Sequence, residues 1–222
     1  GRVKVSVPSV IGRRLIVPVL PRFLEMYPEV ELELWLDDRN VEIVDQGYDL
    51  VLRMGHLEDS SLIARKIGPH RFVTCGAPGY LATHGTLKTP ADLVGHACIR
   101  FRFPSTGRLE QWAFKADGAL ALGKGLTLND SEALAAAARA GLGIIQAPSY
   151  LVDDDVSCGK LQEVLVGYAT NRGDMWFVWP PSRCEVPRIR VFVDFFTDVL
   201  SVDHARRTST LRETTGNVRP QG

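Results

Sequence analysis

Residues 3–36 read VKVSVPSVIGRRLIVPVLPRFLEMYPEVELELWL, a strand, a helix and a second strand in direct succession. Val3, Val5 and Val7 alternate with polar residues, the period of a pleated strand with one face turned inward. From about residue 13 to 27 the period changes: Leu15, Ile16, Val19, Leu20, Phe23, Leu24 and Tyr27 share one broad helical face. Pro18 and Pro21 fall inside that helix, and each removes a backbone donor, so a kink or a restart is expected. VELELWL (30–36) alternates again. NVEIVDQG (40–47) reads as a short helix ended by Gly47, and DLVLRMG (49–55) as a buried strand. Strand–helix–strand–helix–strand within 55 residues is the pattern of a parallel sheet covered by helices, an α/β fold.

The same reading continues along the chain. SLIARKI and RFVTCG are expected as two strands separated by Gly68 and Pro69, PADLVGH (90–96) as a helical turn and CIRFRF (98–103) as a strand. EQWAFKADG and LALGKGLTLN read as an antiparallel pair turning at Gly118. NDSEALAAAARA (129–140) is a helix with cap residues in front and Gly141 as its stop. GLGIIQAP (141–148) and KLQEVL (160–165) return to extended chain, MWFVWP (175–180) is a strand, and a helix spans about Pro187 to Leu200. Its stripe of Ile189, Phe192, Val193, Phe196, Val199 and Leu200 is a face for docking on a sheet. Residues 201–222 carry few apolar side chains and are expected as a mobile tail.

With 45% hydrophobic residues, the 222-residue chain has an ordinary globular composition, enough for one large domain or two small lobes. Twenty-six basic residues balance 26 acidic ones, and this neutrality argues against direct nucleic-acid binding, which draws its affinity from phosphate neutralisation. No run is long and apolar enough for a membrane span. Cys75, Cys98, Cys158 and Cys184 form no CxxC pair; four reduced, mostly buried thiols in a cytoplasmic protein are expected. The five histidines show no metal spacing, so neither metal nor cofactor is expected. The GLG at 141–143 opens a strand and lacks a third glycine, unlike a dinucleotide loop. Asp153–Asp155 reads as a solvated turn, Trp112, Trp176 and Trp179 as core. Ser9 lies in no GxSxG elbow, and no nucleophile–base set is readable.

VSVPSVIGRRLIVPVLPRFLEMYPEVELEL, DLVLRMG, YLATHGTLKTPADLVGHACIRF, NDSEALAAAARAGLGIIQAPSYLV and VFVDFF, in unbroken order over residues 1 to about 200, resemble the effector-binding domain of LysR-type transcriptional regulators. The resemblance implies two Rossmann-like lobes of the type-II periplasmic-binding-protein fold with a cleft between them. Residues 1–72 and 173–200 would form the first lobe and 73–172 the second. It further implies a small-molecule effector, a carboxylate among the fitting classes, self-association as dimer or tetramer with helix 13–27 contributing, and DNA contact through an N-terminal winged helix-turn-helix outside this chain. The abrupt strand at residue 3 is where that junction is expected. A transport solute receptor and an enzyme of the same fold are the rival readings; Asp37 with Asp38 is the single candidate acid pair for the second.

On this resemblance Ser9 and Val10, after the first strand, would face the effector, with helix capping as the alternative for Ser9. Asn129 and Ser131 would be the counterpart on the second lobe, with Asp130 capping the helix. Asp37 and Asp38 could meet a ligand amine or hydroxyl or cap the helix at 40. Arg53 could clamp a carboxylate or form an ion pair with Asp37 or Asp38. Phe101, Arg102 and Phe103 would flank a flat ligand or pack in the core, and Pro148 and Ser149 would close one wall.

Overall fold

The computed structural model describes residues 1–39, 43, 45–57, 61–115 and 120–215, with side chains to 201. The chain divides into two compact units, Gly1–Pro69 with Gly173–Gly222, and His70–Arg172.

In the first unit β1 (Arg2–Val7) leads into a continuous helical stretch over 9–26. That stretch is not one α-helix. It opens as α1 (Ser9–Ile11), widens to a π-turn over Gly12–Ile16, tightens to a 3₁₀ turn over Val17–Val19 and resumes as α2 (Leu20–Met26). The changes of pitch coincide with Pro18 and Pro21, which cannot donate to the carbonyls four residues before them. β2 (Glu31–Leu36) runs parallel to β1 along its whole length, and β3 (Leu50–Gly55) lies parallel on the other side of β1. The expected helix at 40–47 falls largely outside the described residues; Ile43 and 45–47 are turn.

β4 (Ile63–Gly76) begins in the first unit and ends in the second. It is a single strand where two were expected, because proline's fixed φ is compatible with extended backbone and Gly68–Pro69 does not turn the chain. β9 (Asn171–Trp179) begins in the second unit and ends in the first, where it pairs antiparallel with β3. The sheet of the first unit is therefore β2-β1-β3-β9, three parallel strands and one antiparallel.

α6 (Pro187–Thr215) closes this core. Phe192 and Phe196 are fully buried and Phe195 nearly so; they meet Phe23 of α2 and Phe177 of β9, with ring centroids 4.4 to 5.8 Å apart. The helix runs past the expected end at Leu200. No glycine or proline stands between Arg188 and Thr215, so nothing in the chain obliges it to stop earlier.

In the second unit β4 pairs antiparallel with β7 (Ile145–Pro148) and β8 (Gln162–Val164). α3 (Pro78–His84) follows β4, and a 3₁₀ turn at Pro90–Gly95 is closed by a capping box between Thr89 and Asp92. The strand expected over 98–103 shrinks to β5 (Arg100–Phe101), which pairs in parallel with β6 (Thr127–Leu128). The expected hairpin about Gly118 is corrected: 110–115 and 120–126 are irregular, and 116–119 lie outside the described residues. Trp112, Phe114, Leu120 and Leu122 pack on the core of the unit without joining the sheet, so their alternation reflects burial alone.

α4 (Ser131–Arg139) starts where its caps predict: Asp130 Oδ1 accepts the Ala133 N–H at 2.7 Å. Gly141, at φ 78°, takes the left-handed position that ends it. α5 (Ser149–Ser157) replaces the solvated turn expected at Asp153–Asp155; Leu151 and Val152 are its buried face. Of the four thiols two are buried, Cys75 and Cys98, while Cys158 and Cys184 are exposed, fewer buried than expected.

Candidate functional site

In the first unit the parallel strands β1, β2 and β3 end along one edge, the place where α/β sheets present ligand-binding loops. Ser9 and Val10, half-buried, stand after β1; Asp37 and Asp38 follow β2; Arg53 is near the end of β3. The Ser9 N–H, the first free donor of the helical stretch, is already taken: it donates to Asp38 Oδ1 at 2.8 Å. Asp38 thus caps the helix that begins at Ser9; the alternative, a cap on a helix at 40, lies outside the described residues. Asp37 is gripped by Arg39, whose Nη2 lies 2.7 Å from Oδ2 and whose Nε and backbone N–H also donate to it. Those bonds hold the Asp37 carboxyl below its usual range.

The second unit gathers the remaining expected residues into one strip. β5 and β6 bring Phe101 beside Leu128, and α4 packs on both strands, so Asn129 and Ser131 are neighbours of 101–103. Phe101 and Phe103 meet edge to face at 5.3 Å, and Arg102 Nη1 donates to the Gly107 carbonyl at 2.6 Å. The Phe101 carbonyl accepts the Glu110 N–H at 2.8 Å. From Glu110 the strip continues through side chains: its Oε1 lies 2.9 Å from Arg172 Nη1. The Arg172 guanidinium sits over the Phe72 ring, 3.9 Å from its centroid, and Arg172 Nη2 donates to Gln146 Oε1. Phe72 faces Pro148 across the β4–β7 ladder, and the buried Ser149 follows as the first residue of α5.

Burial sets the electrostatics of this strip. The Glu110 carboxyl is pushed above its usual range by desolvation, which the Arg172 charge only partly opposes. His70, 6% exposed, stacks on Tyr150 and lies 3.2 Å from its hydroxyl through Nε2. Burial, reinforced by the Arg172 charge, brings its pKa down to about 4, so the ring is neutral at physiological pH.

A pocket of about 600 Å³ elsewhere in this unit is lined by Tyr80, Thr83, His84, Arg139, Gly141 and Lys160 among others. It contains none of the effector contacts expected from the sequence, and its Arg139 is already paired with Asp155 at 2.6 Å. Among the described residues no group of three or more His, Cys, Asp or Glu could hold a metal ion, and no helix is long and apolar enough to cross a membrane.

The model of the LysR substrate binding domain matches residues 1–201. The chain belongs to the LysR family. As a LysR effector-binding domain it has the type-II periplasmic-binding-like fold expected. It is 35% identical over 211 residues to the HTH-type transcriptional regulator YhjC of Escherichia coli, covering 90% of this chain and 68% of that protein. It is 32% identical over 202 residues to the HTH-type transcriptional regulator CrgA of Neisseria meningitidis, covering 90% and 66%. The chain thus spans about two thirds of the length of these relatives. The solved CrgA regulatory domain, 30% identical, superposes with a TM-score of 0.79 over 90% of this chain and 98% of that one. The effector domain of AmpR from Pseudomonas aeruginosa, at 21% identity and a TM-score of 0.76, shares the fold.

In this LysR domain the two groups of expected residues differ. Those of the second unit form one contiguous strip; those of the first line one sheet edge, with Ser9 and Asp37 bonded to side chains of their own unit. Sequence reading missed Phe72, Glu110, Gln146 and Arg172, which complete the strip. Arg172 and Glu110 lie 62 residues apart, and neither sits in a pattern that marks a site. The one available signal was position: Phe72 and Arg172 flank the two points where the chain passes between units.

Proposed function

We propose that this domain senses a small organic acid in the cytoplasm and that occupancy governs DNA binding by a helix-turn-helix segment of the kind its HTH-type relatives are named for. The proposed contacts are Ser9, Val10, Asp37 and Arg53 in the first unit, and Phe101, Arg102, Phe103, Asn129, Ser131, Pro148 and Ser149 in the second. The observation that carries the reading is the second-unit strip, which combines apolar walls, a buried hydroxyl at a helix start and a partly buried arginine in a domain of LysR type. Pockets that hold small ligands have this mixture of apolar lining and few fixed polar groups.

The first unit narrows the ligand. With Asp38 on the Ser9 N–H, an effector carboxylate finds that donor occupied. Its acidic head is therefore assigned to the second unit. No catalytic role is assigned. An effector regulates only through unequal affinity for two arrangements of the protein. Self-association as a dimer or higher oligomer fits the exposed Val17, Leu24, Met26 and Trp35 of the first unit; a monomer by sedimentation at high concentration refutes it.

The test is thermal stabilisation by an acid ligand. Ser131→Ala and Arg53→Ala should abolish the ligand-induced rise in Tm while leaving the free protein's Tm nearly unchanged. A fall of several degrees in the free protein with the ligand response intact would give these residues structural roles and refute the site.

A further inference from the structure

We infer that Arg172 is the receptor for the effector's carboxylate in the second unit and that Glu110 is its built-in placeholder, displaced when the effector binds. The inference rests on the organic-acid reading above and assigns its specificity to residues outside the site read from the sequence.

Three observations carry it. First, one face and one edge of the guanidinium are fixed by the protein. Phe72 supports its face, Gln146 takes Nη2, and Gln146 is itself locked, accepting the Ala113 N–H and donating to the Ala113 carbonyl and to Thr74 Oγ1. A planar cation fixed by an aromatic plate and a rigid amide is preorganised for a planar anion.

Second, the anion now present serves it incompletely. Glu110 reaches the guanidinium through Oε1 to Nη1, whereas the strong mode of arginine with a carboxylate is a two-bond fork. Arg172 Nε is buried and has no hydrogen-bond partner among the described residues. A carboxylate that takes Nη1 together with the second hydrogen of Nη2 makes the end-on fork, so it gains more than one that merely replaces Glu110 with a single bond.

Third, the pair is reachable. The Arg172 and Glu110 side chains keep 20% and 13% of their accessibility, unlike the sealed core around them. Glu110 is also the weaker holder of its own charge, since burial raises its carboxyl above the ordinary range. His70, the other titratable group facing Arg172, stays neutral until about pH 4 and does not compete for the anion.

Exchange of one carboxylate for another at a fixed arginine explains how an acid could be read without a free cation at rest. It also predicts selectivity for carboxylates over their neutral amides, because the amide cannot displace a charged competitor.

The experiment is an NMR titration of the folded domain following the Arg172 Nε–H resonance, with acetate, succinate and benzoate as probes and acetamide and benzamide as controls. At least one acid should shift that resonance saturably, and the amides should not. Glu110→Gln keeps an oxygen acceptor for Nη1 but removes the competing charge; it should tighten the same acid on the order of tenfold. Arg172→Gln should lose the binding. Acid binding that persists unweakened in Arg172→Gln, detected on other resonances, overturns the assignment to Arg172 while leaving the organic-acid reading intact. Failure of all three acids to shift the wild-type resonance overturns the inference even if the Gln variant does not fold. Unchanged affinity in Glu110→Gln overturns the placeholder.

Discussion

Truncating Phe192 to alanine tests how the C-terminal helix completes the first unit. The side chain is fully buried, and its ring meets Phe23 at 5.5 Å, Phe177 at 5.8 Å and Phe196 at 4.4 Å. It therefore joins α2, β9 and α6, with Phe23 and Phe192 169 positions apart in the chain. A Phe→Ala change in a core costs about 3–5 kcal/mol. Each aromatic pair is worth about 0.5–1.5 kcal/mol beyond area alone, which places this site in the upper half of that range, about 4–5 kcal/mol. At about 2–4 °C per kcal/mol for a protein of this size, the Tm should fall by about 8–20 °C. Phe192→Leu retains most of the volume and should cost about 1–2 kcal/mol. Val17→Ala, at a position 45% exposed, should stay within about 0.5 kcal/mol. The assay is urea unfolding followed by tryptophan fluorescence, because Trp35, Trp176 and Trp179 report the first unit and Trp112 the second. A variant retaining only Trp112 separates the two, so a loss confined to the first unit is seen as such. A loss below about 1 kcal/mol in the Trp176 and Trp179 signal would refute the docking of α6 as the closure of this core.

Other substitutions probe single contacts. Asp130→Ala removes the cap on Ala133 N and should cost about 0.5–2 kcal/mol, with Asp130→Asn recovering most of it; equal losses in the two variants would contradict the capping role. A Cβ at Gly125 would lie 2.2 Å from the Cys98 carbonyl oxygen, a backbone atom that cannot swing aside, so Gly125→Ala should cost about 1–3 kcal/mol by chemical denaturation, and a neutral result would contradict that close approach. His70 has a folded-state pKa of about 4 against 6.5 for the free group, so the unfolded chain binds more protons between those values. Its contribution is full above about pH 6.5 and should be lost as pH falls to about 4, by about 3 kcal/mol in all. Glu110 and Glu163, whose carboxyls are raised by burial, slope the other way, but they are common to wild type and His70→Gln and cancel in the difference between their stability–pH curves. Parallel curves would refute a buried neutral His70.

What was legible in the chain was what repeats locally. β1 and β2 were visible because their apolar residues alternate along the chain, and β3 because its apolar run is short, continuous and buried at its start. α4 was visible because its caps and stop occupy consecutive positions. Segments decided by distant partners were not. The stretch 110–128 alternates like a hairpin, yet its apolar residues are called by the core of the second unit, and among its described residues Thr127 and Leu128 alone form a strand, β6. α5 was hidden by three consecutive aspartates in a helix whose buried apolar residues are only Leu151 and Val152. β4 passes through Gly68–Pro69, where local rules favour a turn.

The site divided in the same way. Serines at strand ends and helix starts carry a positional signal, so Ser9, Ser131 and Ser149 could be named. The fate of their donors could not: that Asp38 would take the Ser9 N–H depends on how β2 ends beside β1. Arg172, Glu110, Gln146 and Phe72 are ordinary residues in separate elements, and only the fold makes them a set.

The organic-acid reading is tested most directly by thermal unfolding of the domain against a panel of small acids, amines and sugars at fixed ionic strength. An acid present at about a hundred times its Kd should add about 2.7 kcal/mol. That corresponds to a rise in Tm of about 5–10 °C, saturating with concentration. Saturable stabilisation by amines or sugars with every acid inert would contradict the account.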